Sequence, residues 1–174
     1  MRERERGPEW IAVDAPNAVA NDPRSTATVD DLTTQVRAER GLSAAIARLH
    51  DGIEQVRALR DEARERTRSS QSADVRSALT AFEGAAASTI AALAGGRTAV
   101  DQLAEVEQGD GAPTPSTAAA IAASCGRGDA AIGLYRRLLG EDLAALNRVL
   151  TAAGIASVQA PPPLAGAACA VDAR

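Results

Sequence analysis

The fold is decided by residues 42–63, LSAAIARLHDGIEQVRALRDEA. Apolar residues recur there in steps of three and four, at positions Leu42, Ile46, Leu49, Ile53, Val56, Leu59 and Ala63. This spacing places side chains on one face of an α-helix. The opposite face pairs acids with arginines at helical spacing, as Glu62 does with Arg66, which indicates a solvated surface. We therefore predict a long first helix that begins at an N-cap, Thr28, and ends near Arg68.

The same periodicity predicts a second helix with Val75, Leu79, Phe82, Ala86, Ile90 and Leu93 inward, and Gly95-Gly96 at its end. A short third helix covers about 97–107. The fourth begins at Thr114 with Pro115 as its first residue and ends before Gly154 as the C′ glycine. Its predicted inward residues are Ile121, Cys125, Ile132, Tyr135, Leu139, Leu143, Leu146 and Leu150. Glycines between Gly126 and Gly133 leave its continuity open.

Composition agrees with helices. The chain has 174 residues, of which 41 are alanine, and only 2% are aromatic, whereas β-sheets favour aromatic and β-branched residues. We predict an all-α fold, an elongated up-down helical bundle of three long helices and one short helix. Residues 1–26 read as an irregular lead broken by three prolines, residues 27–155 as the bundle, and residues 156–174, with Pro161-Pro162-Pro163, as a disordered tail.

Charge and targeting signals exclude several classes of function. The net charge is −4 and all 19 basic residues are arginines interspersed with acids, so no nucleic-acid surface is expected. We find no apolar run of about 18 residues, so no membrane insertion is expected. No secretory signal is recognisable at the start, which makes the cytoplasm the default location.

No residue combination in the sequence predicts a reaction, and we nominate no catalytic, cofactor-binding or metal-binding residue. His50 is the only histidine and has no nucleophile or ligand set spaced around it. Cys125 and Cys169 lie far apart, which predicts neither a zinc site nor a disulfide framework. We read Cys125 as a small buried hydrophobe, Cys169 as a free thiol in the tail and Arg127-Gly128-Asp129 as a helix break. The acid pairs, Asp30-Asp31, Asp61-Glu62 and Glu141-Asp142, fit solvated helix faces.

A series of short motifs between residues 21 and 158 resembles the C-terminal helical region of bacterial BNR-repeat, sortilin-like β-propeller proteins, which are glycosyl-hydrolase-like. The motifs are Asn21-Asp-Pro-Arg24, Thr28-Val-Asp-Asp-Leu32, Ala44-Ala-Ile46, Ile53-Glu-Gln-Val-Arg-Ala-Leu-Arg60, Gly109-Asp-Gly-Ala-Pro-Thr-Pro115, Asp142-Leu-Ala-Ala-Leu-Asn-Arg-Val-Leu150 and Gly154-Ile155. In that family a propeller and an Ig-like β-domain precede the helical region, and the full-length proteins are often exported.

The resemblance implies a helical accessory or interaction module without catalysis, because the propeller that handles substrate in the family is not in this sequence. It also implies a detached or truncated fragment whose partner is a β-propeller or Ig-like protein. The alternative is a self-associating coiled-coil scaffold that oligomerises through the seam of the first helix, since an alanine-rich core is thin and association would add buried area.

Overall fold

A computed structural model of the chain describes residues 27–96, 99–109 and 111–169. It contains five α-helices and one π-helical turn: α1 (Val29–Ser69), α2 (Ala73–Gly96), α3 (Ala99–Glu107), α4 (Pro115–Arg137), the π turn (Leu138–Asp142) and α5 (Leu143–Ala152). No strand occurs in the described ranges, so the prediction of an all-α fold is confirmed. The predicted irregular lead, residues 1–26, lies outside the described residues.

The first helix begins where the sequence predicted. Thr28 is the N-cap and its Oγ1 accepts a hydrogen bond from the backbone N–H of Asp31 at 3.1 Å. The Asp31 carboxylate accepts in return from the Thr28 hydroxyl and backbone N–H, which completes a capping box. These two bonds hold the pKa of Asp31 below its usual value, and the bond from the hydroxyl has the larger effect. With 41 residues, α1 is about 60 Å long.

Contacts between the helices give their relative directions. The Thr67 hydroxyl near the end of α1 donates to Glu83 on α2 at 2.9 Å, and Gly96 at the end of α2 lies against Leu49 in the middle of α1. Helix α2 therefore runs antiparallel to α1. Helix α3 continues in the same direction, because Gln35 near the start of α1 donates to the carbonyls of Val106 and Gly109.

Helix α4 returns parallel to α1, and together the helices enclose one main core and a smaller one. Tyr135 and Gly128 on α4 lie beside α1, against Gln55 and Leu49 respectively. The main core is built largely of leucine, alanine and valine side chains from α1, α2, α4 and α5. The smaller cluster at the other end of α1 consists of Leu42, Ala99 and Val106.

The fourth predicted helix is continuous through the glycines at 126–133, so the expected break at Arg127-Gly128-Asp129 is wrong. Its irregularity lies further on, at the π turn. The buried residues there are Leu138 and then Leu143, a step of five, where an uninterrupted α-helix would turn Glu141 or Asp142 inward. The extra residue of the π turn keeps both acids out of the core and returns Leu143 to it. Gly154 then ends α5 with φ +70°, as predicted for a C′ glycine.

The expected disordered tail is wrong for residues 156–169, which we call the return segment. It runs back along α4 in the opposite direction and buries Val158, Leu164 and Ala168 in the main core. The sequence did not reveal this because the buried positions are six and four residues apart, which matches neither a helix nor a strand. Residues 170–174 of the predicted tail lie outside the described residues.

One stretch, Ala73–Glu107, is long and apolar enough by length and composition to cross a membrane. Its first part, α2, lies beside α1 and buries Val75, Leu79, Phe82 and Leu93. A core helix of a soluble protein passes the same test, so the absence of membrane insertion stays a prediction.

Candidate functional site

The histidine and the acid pairs that were weighed for chemistry in the sequence do not come together. His50 is exposed on α1, and Asp61 and Glu62 further along it pair with arginines on the surface of the same helix. Asp31 caps α1. In residues 27–96, 99–109 and 111–169, no group of three or more His, Cys, Asp or Glu side chains is placed to hold a metal ion.

A polar cleft of about 400 Å³ lies between α2 and the π turn. Its charged rim is Arg137, Glu141 and Asp142, the acids that the π turn keeps out of the core. Two hydroxyls line it, Ser88 and Thr89, but each donates to a carbonyl of its own helix, at Gly84 and Ala85. A hydroxyl nucleophile needs a base within hydrogen-bond reach, and these hydroxyls are directed to backbone oxygens instead. The cleft is a charged surface feature of the bundle.

The more elaborate site is the groove between α1 and α4, which the return segment fills. Two glycines form notches in its walls. A Cβ on Gly52 would lie 2.9 Å from Leu164 Cδ1, and a Cβ on Gly128 would lie 2.7 Å from the Cβ of Ala168. Both distances are shorter than carbon–carbon contact allows. The Ala168 Cβ moves only with its backbone, so glycine at position 128 is what lets the return segment lie this deep, whereas the flexible end of Leu164 could shift to accommodate a Cβ at position 52.

Polar side chains on the groove walls bind the backbone of the return segment. Arg48 donates to the carbonyls of Ala167 and Ala168, both at 2.8 Å, and Arg136 donates to the Gly166 carbonyl at 2.8 Å. Asp129 accepts from the N–H of Ala168 at 2.6 Å. An extended segment beside helices has no strand partner for its backbone, so side chains must supply the hydrogen bonds that burial demands.

At the opposite end of the groove, Asn147 makes a paired contact with Val158. The amide donates to the Val158 carbonyl at 2.9 Å and its oxygen accepts from the Val158 N–H at 2.8 Å. Beyond it, Arg66 donates to the carbonyl of Ala156. The return segment is thus bound along its whole length, from Ala156 to Ala168.

Tyr135 links the groove wall to both sides. Its ring is fully buried and its hydroxyl reaches Gln55 Oε1 on α1 and, at 3.2 Å, the carbonyl of Pro162. Burial raises the pKa of the Tyr135 hydroxyl. A buried tyrosine of this kind is a structural bridge, because both of its polar neighbours belong to the chain itself.

The return segment ends in a disulfide between Cys125 on α4 and Cys169, 44 residues apart in sequence, with the Cα atoms 5.6 Å apart. The predictions of Cys125 as a plain buried hydrophobe and of Cys169 as a free thiol are therefore wrong. Both cysteines are half-buried. Sequence reasoning missed the bond because the two residues meet only once the return segment has folded back along α4.

The tripeptide Arg127-Gly128-Asp129 belongs to the same site. Gly128 forms one notch and Asp129 binds the return segment, whereas Arg127 donates to Ser124 on its own helix at 2.9 Å. The signal that could have found this site is the coincidence of a small residue and a carboxylate on α4 with a cysteine one turn earlier.

The fold and groove define the class as an all-α protein whose helical frame is closed by a disulfide-tied extended segment. No family model, curated protein or solved structure matches the sequence.

Proposed function

We propose that this chain is a non-catalytic helical module, an up-down bundle in which the return segment takes the fourth position. The observation that carries the proposal is that the α1–α4 groove, into which several polar side chains converge, is occupied by the chain's own residues. Arg48, Asp129 and Arg136, which would otherwise be candidate ligand-binding side chains, bind that backbone. A module of this kind contributes a rigid surface rather than a reaction.

The module's place is proposed from the resemblance: an accessory region that packs against a β-propeller or Ig-like protein of the sortilin-like, glycosyl-hydrolase-like type. Support comes from the order of the motifs between residues 21 and 158. The helices, packed around the main core, give such a region the length and stiffness to extend a β-domain.

We further propose an oxidising compartment as the place of action. Disulfides form and persist outside the cytosol, where thiol-reducing systems do not remove them. The Cys125–Cys169 bond therefore favours an exported protein over the cytoplasmic location expected from the sequence. Full-length proteins of the family that the sequence resembles are also often exported.

The alternative proposal is self-association through the seam of the first helix. Of the seam residues, Leu42, Leu49, Ile53, Val56, Leu59 and Ala63 are buried within the chain, and Ile46 is half-buried against the smaller cluster. A coiled-coil partner would have to displace them.

Two measurements test the proposal. The purified chain is assayed against a panel of aryl glycosides, beside a variant in which Glu141→Gln and Asp142→Asn remove the acid pair of the polar cleft. We expect no turnover from either protein. Hydrolysis at an enzyme-like rate that disappears in the double variant would show that the module is catalytic. The second measurement is maleimide labelling of the protein in intact cells, where we expect no free thiol; two labelled cysteines would contradict the proposed compartment.

A further inference from the structure

The return segment occupies its groove in the manner of a bound ligand. It contacts α1, α4 and α5 through three apolar anchors, two glycine notches and the side-chain hydrogen bonds described above. It is joined to the bundle at one end by an exposed turn, residues 153–155, and at the other by the disulfide. Three consecutive prolines, Pro161–Pro163, restrict its backbone before it docks, which lowers the entropy cost of binding an extended segment.

We propose that the α1–α4 groove is an interaction surface for a second copy of this chain, which exchanges residues 156–169 reciprocally once Cys125–Cys169 is reduced. The groove of each copy then holds the other's return segment. The occupant is fixed by the structure, since the complementary anchors and notches are those already filled within one chain. Exchange of an identical element uses no new contact and closes with two-fold symmetry. The inference does not depend on the proposed accessory role.

The disulfide decides which copy supplies the segment. A dithiol reduces it by giving two electrons and two protons to the Cys125 and Cys169 sulfurs, and becomes a cyclic disulfide itself. For re-formation, the Cys125 thiolate attacks oxidised glutathione and releases one glutathione thiolate. The Cys169 thiolate of whichever segment lies in the groove then attacks the Cys125 sulfur and releases the second. The half-buried position of both cysteines leaves room for this exchange.

Chain concentration sets the balance. A short tether gives the chain's own segment an effective concentration on the order of millimolar. Exchange is therefore expected when the reduced protein is concentrated to roughly that value, and not at micromolar concentration.

The test mixes equal amounts of full-length chain with natural nitrogen and full-length chain labelled with nitrogen-15. The mixture is reduced with a dithiol and held in two arms, one at about 1 mM, close to the effective concentration, and one at about 10 µM, far below it. Each arm is then freed of the dithiol and reoxidised with oxidised glutathione. Trypsin places Cys125 in the peptide 98–127 and Cys169 in the peptide 149–174, so mass spectrometry assigns each linked pair to one copy or two. We expect mixed-isotope Cys125–Cys169 pairs to make up about a quarter of the linked peptides in the concentrated arm, because about half of the links form between copies when the chain concentration equals the effective concentration and half of those join unlike isotopes. They should be nearly absent in the dilute arm.

The matched variants are Leu164→Asp, which charges a buried anchor, and Ala165→Asp, which charges the exposed neighbour. In the concentrated arm we expect Leu164→Asp to replace most Cys125–Cys169 links, within and between copies, by glutathione adducts, and Ala165→Asp to behave like the parent. Same-isotope links alone at about 1 mM, the effective concentration that exchange must overcome, would overturn the proposal. So would Cys125–Cys125 or Cys169–Cys169 links as abundant as Cys125–Cys169, because those report random thiol oxidation.

Discussion

The helices and the return segment contribute to the same main core but are held in it by different interactions. The helices satisfy their own backbone hydrogen bonds and meet through periodic apolar stripes. The return segment contributes three buried side chains, and its backbone depends on hydrogen bonds from Arg48, Asp129 and Asn147. An irregular segment is therefore buried where side chains on the helices supply the backbone hydrogen bonds that a neighbouring strand would otherwise supply, and where glycines make room.

The largest effect on stability is expected from removing the disulfide. Replacing Cys125 and Cys169 by serine together should lower the free energy of unfolding by about 4 kcal/mol, because a loop of this length is no longer closed in the unfolded chain. Urea unfolding measures it.

The helical circular dichroism of that double variant at 25 °C should stay close to the parent's, since the helices do not depend on the bond. A variant that loses its helices together with the disulfide would show that the return segment and the frame form a single cooperative unit.

Two glycines on α4, two residues apart, distinguish the effect of a substitution in the groove from its effect on the helix itself. Gly128→Ala puts a methyl group within 2.7 Å of Ala168 Cβ, and overpacking of this kind costs about 1–2 kcal/mol. A Cβ on Gly126 meets nothing within 4 Å, so Gly126→Ala should raise stability by about 0.5–1 kcal/mol.

Amide hydrogen exchange provides the local measurement for these variants. Gly128→Ala should speed exchange at Ala168, and Gly126→Ala should not. Equal stabilisation by both substitutions would mean that the Gly128 notch does not seat the return segment.

Tyr135 tests the polar bridge between the two regions. Tyr135→Phe should cost about 1–1.5 kcal/mol, because Gln55 and the Pro162 carbonyl lose their donor. Burial raises the pKa of Tyr135, so the protonated hydroxyl is favoured in the folded state. Its contribution is complete below the unfolded value, near pH 10, and is lost as the pH rises above it.

Urea unfolding of both proteins at pH 9 and pH 11 is the measurement. The parent should lose more stability than Tyr135→Phe between the two values, and an identical loss in both would show that Tyr135 ionises freely in the folded protein.

The smallest effect is expected far from the groove, at the start of α1. Thr28→Ala removes the capping hydroxyl and should cost about 1 kcal/mol. The pKa of Asp31 is lowered by its bonds to Thr28, so this contribution is present above the ordinary pKa, about 3.8, and is lost as the pH falls through the lower folded value.

Thr33→Ala, on the exposed side of the first turns, is the matched control, and we expect little change because its hydroxyl bonds only the Val29 carbonyl of its own helix. Thermal unfolding at pH 7 and pH 3 compares the two variants. A Thr28→Ala protein as stable as Thr33→Ala at pH 7 would show that the capping box does not stabilise the frame.

The helices and most of their boundaries could be predicted from the sequence alone. The periodic apolar residues from Leu42 to Leu59 indicated the buried face of α1, and Thr28, Thr114 and Gly154 marked boundaries, because caps and helical periodicity are local properties of the chain. The π turn was not predictable, since the helical pattern around Glu141 and Asp142 gave no sign that an extra residue would turn both acids outward.

The path of residues 156–169, by contrast, depends on the tertiary structure. Val158, Leu164 and Ala168 follow no period, and their burial depends on a groove that exists only after α1 and α4 have packed side by side. The Cys125–Cys169 bond has the same origin, because residues 44 positions apart meet only when the chain has turned back on itself. Local sequence encodes local hydrogen bonding, whereas contact between distant segments depends on the shape that the assembled helices leave.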